Sequence, residues 1–141
     1  MLSLTEYGSY CRKGNFFIDP WNPVDYVIIT HAHTDHARPC YRHYLAHDSS
    51  EGILRHRLGE DISLQTLNYG QEILLKGVRL SLHPAGHIPG SARIRLELRG
   101  NIGGNRRLQS RRRWHFYSVL SLEMPYTHHR MYFRPSPLLL A

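Results

Sequence analysis

The sequence has few cysteines, few charged residues and no long apolar run. The two cysteines, Cys11 and Cys40, are too few for a disulfide framework, which favours a reducing compartment and a cytoplasmic location. No run of about 18 apolar residues occurs, which excludes a transmembrane helix, and residues 1–10 lack the pattern of a secretory signal. Because 21% of the residues are charged and 11% are aromatic, wholesale disorder is not expected. A length of 141 residues allows one small domain, or part of a larger one.

Acidic residues are almost absent from residues 101–141. This segment holds seven arginines and one glutamate, whereas residues 1–100 hold eleven basic and ten acidic residues. The formal net charge of +7 and the isoelectric point near 9.8 therefore come almost entirely from residues 101–141. An excess of basic over acidic residues usually indicates nucleic acid as a partner, but here the excess carries no information about the first hundred residues.

Residues 1–100 have the pattern of a folded segment made mostly of short strands. Alternating apolar and polar residues, or runs rich in β-branched and aromatic residues, are typical of strands. Such patterns occur at 10–19 around a turn at 13–15, and at 24–30, 78–83 and 92–98, and strands are also predicted at 64–67 and 72–75, which flank Tyr69-Gly70. A short helix is predicted at 49–58, with a serine as its N-terminal cap and Gly59 at its end. Residues 101–141 show no sustained period, which predicts a basic, irregular tail.

The strongest chemical signal is the sequence His-Ala-His-Thr-Asp-His at 31–36, directly after a predicted buried strand. Imidazole and carboxylate are ligands that zinc prefers, and a metal hydrolase needs several of them with one coordination position left open. In a loop at a strand end, His31 and His33 can reach one metal. Asp35 and His36 can then face a second. Two metals could activate a water and stabilise charge on a phosphoryl or acyl oxygen.

A second histidine-bearing loop lies between the last two predicted strands. The stretch His-Pro-Ala-Gly-His-Ile-Pro-Gly-Ser-Ala at 83–92 is rich in glycine and proline and places His87 in its middle. A histidine in a loop is usually a surface residue. Together with the motif at 31–36, however, the loop favours His87 as a third ligand of the same metal.

The remaining histidines, the second cysteine and the helix arginines have simpler interpretations. Three histidines are interpreted as surface or second-layer residues: His43, His47 and His56. Cys40 lies near the histidine motif but is predicted to be a small buried thiol. Arg55 and Arg57 are interpreted as helix-surface residues, with phosphate contact as the alternative.

These motifs resemble the metallo-β-lactamase superfamily, through the 31–36 loop, Asp19 in its Ile-Asp-Pro loop, and His87. A closer resemblance is to the ligase-associated DNA exonucleases, bacterial enzymes similar to the mRNA 3′-end processing factors of the β-CASP branch. Further segments of the sequence carry this closer resemblance: Tyr10-Cys11, Phe17 to Trp21, Val24-Asp25, Thr30 to His33, Leu54 to Gly59 and Leu82 to His87. The resemblance covers roughly residues 4–100 and includes residues outside the metal loop.

The resemblance implies an α/β (α+β) fold in which residues 1–100 form the N-terminal half of an incomplete αββα sandwich, mostly β in the half covered. It implies zinc as cofactor and phosphodiester hydrolysis in DNA or RNA, with a functional association with a DNA ligase. It also implies one metal site of His31, His33 and His87. Asp35 and His36 would hold the second metal, with Asp35 as the catalytic carboxylate and Asp19 behind the ligands.

After residue 100 the chain departs from the family's pattern. The family continues with a strand ending in Ser/Thr-Gly-Asp-Tyr-Lys, whose aspartate bridges the two metals, and later supplies a further histidine and a cap domain. None of these occurs in residues 101–141. Residues 105–109 can be encoded so that a one-base shift reads Thr-Gly-Asp-Tyr-Lys. In the same shifted frame, residues 128–136 can read Ile-Thr-Glu-Cys-Thr-Phe-Gly-Leu-Pro, which resembles the family's next stretch.

A single-base frameshift near residue 100 is therefore predicted, and with it a truncated, impaired hydrolase. The strand at 92–98 is expected to be an exposed sheet edge that invites aggregation. Two other functions stay open at this point. One is another hydrolase of the same superfamily, acting on a thioester or a lactam. The other is a non-catalytic nucleic-acid-binding protein that uses its basic tail.

Overall fold

A computed structural model of the chain describes residues 2–98 and the backbone of residues 114–117. This part has a mixed α+β fold, mostly strands with one short helix. The strands are β1 (Leu2–Thr5), β2 (Gly8–Cys11), β3 (Phe16–Ile18), β4 (Tyr26–Ile28), β5 (His43–His47), β6 (Leu64–Leu67), β7 (Glu72–Leu75), β8 (Val78–Pro84), β9 (Ala92–Leu98) and β10 (Trp114–Tyr117). A 3₁₀ turn at Asp48–Ser50 leads into the helix α1 (Glu51–Leu58). In the described residues, no helix has the length and apolar character to cross a bilayer.

The strands form two sheets. The first has six strands in chain order from β1 to β6, and the second has four in the order β10-β9-β8-β7. Within the first sheet, β3, β4, β5 and β6 are parallel, so their carboxyl ends meet at one edge. The second sheet is antiparallel throughout. The loops that follow β3 and β4 are therefore brought together at the same edge of the first sheet.

The main core lies between the two sheets. The inner face of the first sheet contributes Cys11, Phe16, Ile18, Ile28, Leu45 and Leu67, and the second contributes Val78, Leu80, Leu82, Ala92, Ile94 and Leu96. Burial of each large aliphatic side chain stabilises the fold by about 1.5–3 kcal/mol. On the outer face of the first sheet, Val27 and Tyr44 pack with Leu54 of α1. The described residues therefore form three layers: the helix α1, the first sheet and the second sheet.

Most strand predictions are confirmed, and two details differ. The strand predicted at 24–30 is shorter, since it ends at Ile28, although Ile29 and Thr30 are also buried. The predicted serine cap is wrong. Ser50 has a helical backbone and no side-chain capping bond, and His47 Nδ1 instead accepts a hydrogen bond from the Ser49 N–H that opens the 3₁₀ turn. Gly59 does end the helix, with φ of 119°.

The expectation that β9 is an exposed edge is also wrong. β10 pairs with it in antiparallel register, with Trp114 opposite Glu97 and Tyr117 opposite Ile94. Residues 114–117 were expected to lie in an irregular tail, because four residues between arginines and serine give no clear period. The rest of the predicted tail, and the two segments that carry the frameshift argument, lie outside the described residues.

Candidate metal centre

The two histidine-bearing loops lie against each other at the edge where the parallel strands end. Residues 31–36 make a tight turn, in which the N–H groups of His36 and Ala37 both donate to the carbonyl of His33, at 3.1 and 2.8 Å. The loop at 85–91 joins β8 to β9 in the second sheet. Its far end is tied to the first sheet, because the Ala92 N–H donates to the Thr30 carbonyl at 2.7 Å. The fold thus brings together two loops that are far apart in sequence.

Three histidines converge where these loops meet. His31, His33 and His87 each offer a ring nitrogen, and these nitrogens all lie within 4.8 Å of one another. His33 Nδ1 and His87 Nε2 are 3.3 Å apart. His33 and His87 are exposed, whereas His31 is only 2% exposed. The cluster therefore has one buried side and one side open to solvent, and it could hold a metal ion.

The ring of His31 is fixed in an orientation that leaves one nitrogen for a ligand. Its Nδ1 lies 3.0 Å from the Thr30 hydroxyl oxygen. Its Nε2 is buried and has no hydrogen-bond partner among the described residues. A buried polar atom without a partner costs stability, and native structures rarely leave one without a reason. A metal ion bound at this nitrogen would supply the missing interaction.

The electrostatic environment keeps His31 in the form that binds metal. Burial, together with the neighbouring His36, lowers the pKa of His31 to about 4, although Asp19 acts in the opposite direction. The imidazole is therefore neutral at neutral pH. A neutral ring can donate its lone pair to a metal without first losing a proton.

Asp19 is buried and holds the neighbouring loop in place. Its carboxylate accepts hydrogen bonds from the Thr30 N–H at 2.8 Å, from the Thr30 hydroxyl, and from His36 Nδ1 at 2.8 Å. Asp19, His31 and His36 form a second group of closely spaced ligand atoms. Because the Asp19 oxygens already accept three hydrogen bonds, we interpret Asp19 as the residue that orients His36. Its φ of 40° lies in the left-handed region, which aspartate tolerates better than most residues.

Asp35 and His36 stand beside the three-histidine cluster. The ring of His36 is 3.9 Å from that of His31, measured between centroids, and His36 Nε2 lies 3.3 Å from Asp35 Oδ2. The Asp35 side chain is 70% exposed, so its carboxylate faces solvent. The structure therefore places all six residues singled out from the sequence in one region. Asp35 and His36 share a nearby position that a second ion could occupy.

Several residues that build this site had no signal in the sequence. Arg57 was interpreted as a helix-surface residue, but its guanidinium donates to the carbonyls of Ala32 and Ala37. Cys40 was predicted to be buried and is exposed, because it lies at the end of the loop before β5. Ser91 was not singled out at all. These roles depend on contacts between residues far apart in the chain, which spacing alone does not reveal.

Ser91 organises the His87 loop. Its hydroxyl oxygen accepts a hydrogen bond from the His87 N–H at 3.1 Å. Its carbonyl accepts from the Ala85 N–H at 3.1 Å and from the Tyr69 hydroxyl at 2.7 Å. The preceding Gly90, with φ of 78°, lies so close to the 3₁₀ turn before α1 that an added Cβ would be 2.1 Å from the Ser50 hydroxyl oxygen. The loop is thus held by hydrogen bonds within itself, by the Tyr69 hydroxyl, and by close packing against Ser50.

We expect Ser91→Ala to weaken metal binding roughly tenfold, because the His87 N–H loses its acceptor and the ligand its fixed position. Zinc affinity measured by competition with a chromophoric chelator would show the change. Ser81→Ala is the matched control. Ser81 is equally buried at 3%, and its hydroxyl lies 2.9 Å from His83 Nε2, outside both ligand loops. Equal affinities for the two variants would contradict this role for Ser91.

The contact between Asp19 and His36 should make the stability of the metal-free chain depend on pH. Burial alone would lower the pKa of His36, but the hydrogen bond and charge of Asp19, with the charge of Asp35, raise it. The folded chain therefore holds this proton more tightly than the unfolded chain. The stabilisation is complete below about pH 6.5, the ordinary histidine value, and is lost as pH rises through the folded pKa.

We expect Asp19→Asn to lower the free energy of unfolding more at pH 6 than at pH 9. Urea unfolding in the presence of a chelator, for the wild type and the variant at both pH values, measures this difference. The hydrogen bonds from Thr30 to residue 19 do not titrate in this range, so they contribute equally at both. A loss of stability that is the same at pH 6 and pH 9 would mean that the charge on His36 plays no part.

No protein-family model matches the chain, and no curated protein sequence matches it.

Proposed function

We propose that this protein is a zinc-dependent hydrolase that cleaves phosphodiester bonds in DNA or RNA, with the metallo-β-lactamase type of sandwich. The observation that carries the proposal is the convergence of three histidines, one of which, His31, has a buried ring nitrogen with no hydrogen-bond partner in the part of the chain that the structure describes. The substrate class rests on the resemblance of residues 4–100 to ligase-associated DNA exonucleases. The proposal extends to a cytoplasmic location and to work alongside a DNA ligase.

The geometry of the cluster favours zinc. Two nitrogens bound to one tetrahedral zinc at about 2.0–2.1 Å lie roughly 3.3–3.4 Å apart. His33 Nδ1 and His87 Nε2 are 3.3 Å apart, and the remaining nitrogen is His31 Nε2. Three protein ligands with a solvent-facing side are typical of catalytic zinc sites, whereas structural sites are closed by four.

The layers of the described residues also support this fold. A helix packs on the outer face of the first sheet, and the inner face packs on the second sheet. These are three of the four layers of an αββα sandwich. The ligands leave the carboxyl ends of strands in the first sheet and the loop between β8 and β9 in the second, so the site lies at one end of the two sheets.

Each residue has a role in the proposed reaction. His31, His33 and His87 hold the ion, which, when bound, would activate a water and stabilise charge on a phosphoryl oxygen. Asp19 fixes the orientation of His36 through its Nδ1. The exposed carboxylate of Asp35 accepts a proton at Oδ2 or holds a second ion together with His36 Nε2, 3.3 Å away. The fixed hydrogen bonds behind the ligands keep these groups in place as charge develops.

Zinc content, measured together with nuclease assays on single-stranded DNA, double-stranded DNA and RNA, tests the proposal. We expect bound zinc and weak cleavage that a chelator removes. Hydrolysis of a thioester or a lactam without nuclease activity would favour the other hydrolases of the superfamily. Salt-dependent DNA binding that survives loss of His31 and His33, but not of residues 101–141, would favour a binding protein. Absence of zinc would overturn the proposal.

A further inference from the structure

One arginine of α1 reaches across to the loop that carries most of the ligands. Arg57, the next-to-last residue of the helix, donates through Nη1 to the carbonyl of Ala32 and through Nη2 to that of Ala37, at 3.4 Å in the second case. The two carbonyls lie 25 and 20 residues away in the chain. They stand on either side of residues 33–36, so the guanidinium spans the turn that presents His33, Asp35 and His36.

The Arg57 contact ties the turn to α1, which the hydrogen bonds within the turn do not do. Within the turn, the N–H groups of His36 and Ala37 both use the single carbonyl of His33. These bonds fix local curvature but do not fix where the turn lies relative to the rest of the fold. A guanidinium is planar and rigid, and it presents its donors in a fixed fork, so two carbonyls bound to it are held at a set separation. Because Ala32 and Ala37 are both buried, the bonds are shielded from competing water.

We propose that Arg57 is a positioning residue, which sets metal affinity from α1 by holding both ends of the 31–36 turn without touching the metal. This inference rests on the proposed function, because it concerns the same metal centre. It also replaces the sequence-based alternative in which Arg57 contacts a substrate phosphate. Its Nη1 and Nη2 both donate to backbone carbonyls of the loop, which favours a positioning role over contact with a substrate phosphate.

Arg55 provides a matched control on the same helix. It lies one position before His56 and two before Arg57, and it is likewise half-buried. It bonds Glu51 Oε1 at 2.9 Å and the carbonyls of Glu60 and Ile62 at 2.8 and 3.3 Å. All of these partners belong to the helix or to the segment just after it. A substitution of Arg55 therefore removes a charge and several hydrogen bonds from α1 without changing a contact to the ligand loop.

The test compares Arg57→Gln, Arg57→Lys and Arg55→Gln with the wild type. Zinc affinity is measured by chelator competition, and the visible absorption spectrum of bound cobalt(II) reports ligand geometry. Thermal unfolding with a chelator gives the stability of each metal-free chain. We expect Arg57→Gln to bind zinc about 10- to 100-fold more weakly, in the range found when residues that orient ligands are lost. Lysine offers a single ammonium group in place of the fork, so the zinc affinity of Arg57→Lys should lie between those of Arg57→Gln and the wild type.

Several outcomes would overturn the inference. Wild-type zinc affinity and an unchanged cobalt spectrum in Arg57→Gln would do so directly. Equal loss of affinity in Arg57→Gln and Arg55→Gln, in step with equal loss of stability, would reduce Arg57 to a general structural residue. A raised KM for nucleic acid and a weaker salt dependence, at unchanged zinc affinity, would assign Arg57 to substrate phosphate. If the wild type binds no zinc or cobalt, the proposed function fails first and this inference fails with it.

Discussion

Replacing both His31 and His33 with alanine is expected to abolish stoichiometric zinc binding. The two residues supply two of the three converging nitrogens, and His87 alone leaves a single imidazole at an exposed position. One neutral imidazole binds zinc far more weakly than three that converge in tetrahedral geometry. Metal analysis after extensive dialysis, on wild type and variant prepared side by side, gives the stoichiometry. Unchanged zinc in the variant would reject the ligand assignment.

Two further variants make this result specific. His31 is buried, so its loss can also disturb folding. The double substitution His33→Ala and His87→Ala removes only exposed rings and should cause the same loss of zinc. His43→Ala together with His56→Ala removes two histidines outside the cluster and should retain zinc. His43 has its own partner, since its Nδ1 lies 2.9 Å from the Ser63 hydroxyl oxygen, and it stacks on Tyr26.

The second large effect concerns the reading frame beyond residue 100. Restoring the shifted frame is expected to raise metal-dependent cleavage of DNA or RNA by roughly 10²- to 10³-fold, because a carboxylate that bridges two ions contributes several kcal/mol of charge stabilisation. Asp35 lies beside His36 and can serve only one side of such a pair. Initial rates of the chain and of the frame-restored protein, at equal zinc content, measure the gain.

The control is the frame-restored protein in which the aspartate of Thr-Gly-Asp-Tyr-Lys is changed to asparagine. Its initial cleavage rate should fall towards that of the chain without the restored frame. Equal cleavage by the chain and the restored protein would show that the additional ligands are dispensable. Sequencing the gene tests the frameshift first, because the prediction is refuted if the shifted frame does not encode both motifs. Restoring the frame is not expected to act by covering an exposed edge of β9, because β10 already pairs with that strand.

The strands and the candidate metal-binding histidines could be predicted from the sequence because both depend on local patterns. The segment 92–98 alternates apolar and polar residues and forms β9. The segments 64–67 and 72–75, which flank Tyr69-Gly70, form β6 and β7, and all three strands have the predicted bounds. The motif at 31–36 follows a buried strand, where a loop must leave the sheet edge. His87 was harder, because its place depends on how the second sheet packs on the first. Its place in a loop rich in glycine and proline, taken together with the motif at 31–36, already favoured it as a third ligand, and the resemblance to a known family supported the same assignment.

The supporting contacts could not be predicted from local patterns. The partners of Arg57 are backbone carbonyls, which every residue has, so no sequence signal marks them. Ser91 stands in a stretch of small residues, where a serine is unremarkable until its hydroxyl is seen to meet the His87 N–H. The serine cap failed for a related reason. His47, brought to the edge by β5, takes the position in front of the helix and accepts the bond that a serine usually would.

The three clustered histidines come from both sheets, so an ion that they shared would affect the fold as a whole. His31 and His33 follow the first sheet, whereas His87 belongs to the second, and His33 and His87 are separated by 54 residues. An ion held by all three would act as a reversible cross-link between the two halves of the sandwich. Because the three nitrogens converge only in the folded chain, such a link stabilises the folded state by mass action, and its strength varies with metal concentration. In a reducing compartment, where disulfides do not persist, the supply of metal would then regulate how firmly the two sheets are held together.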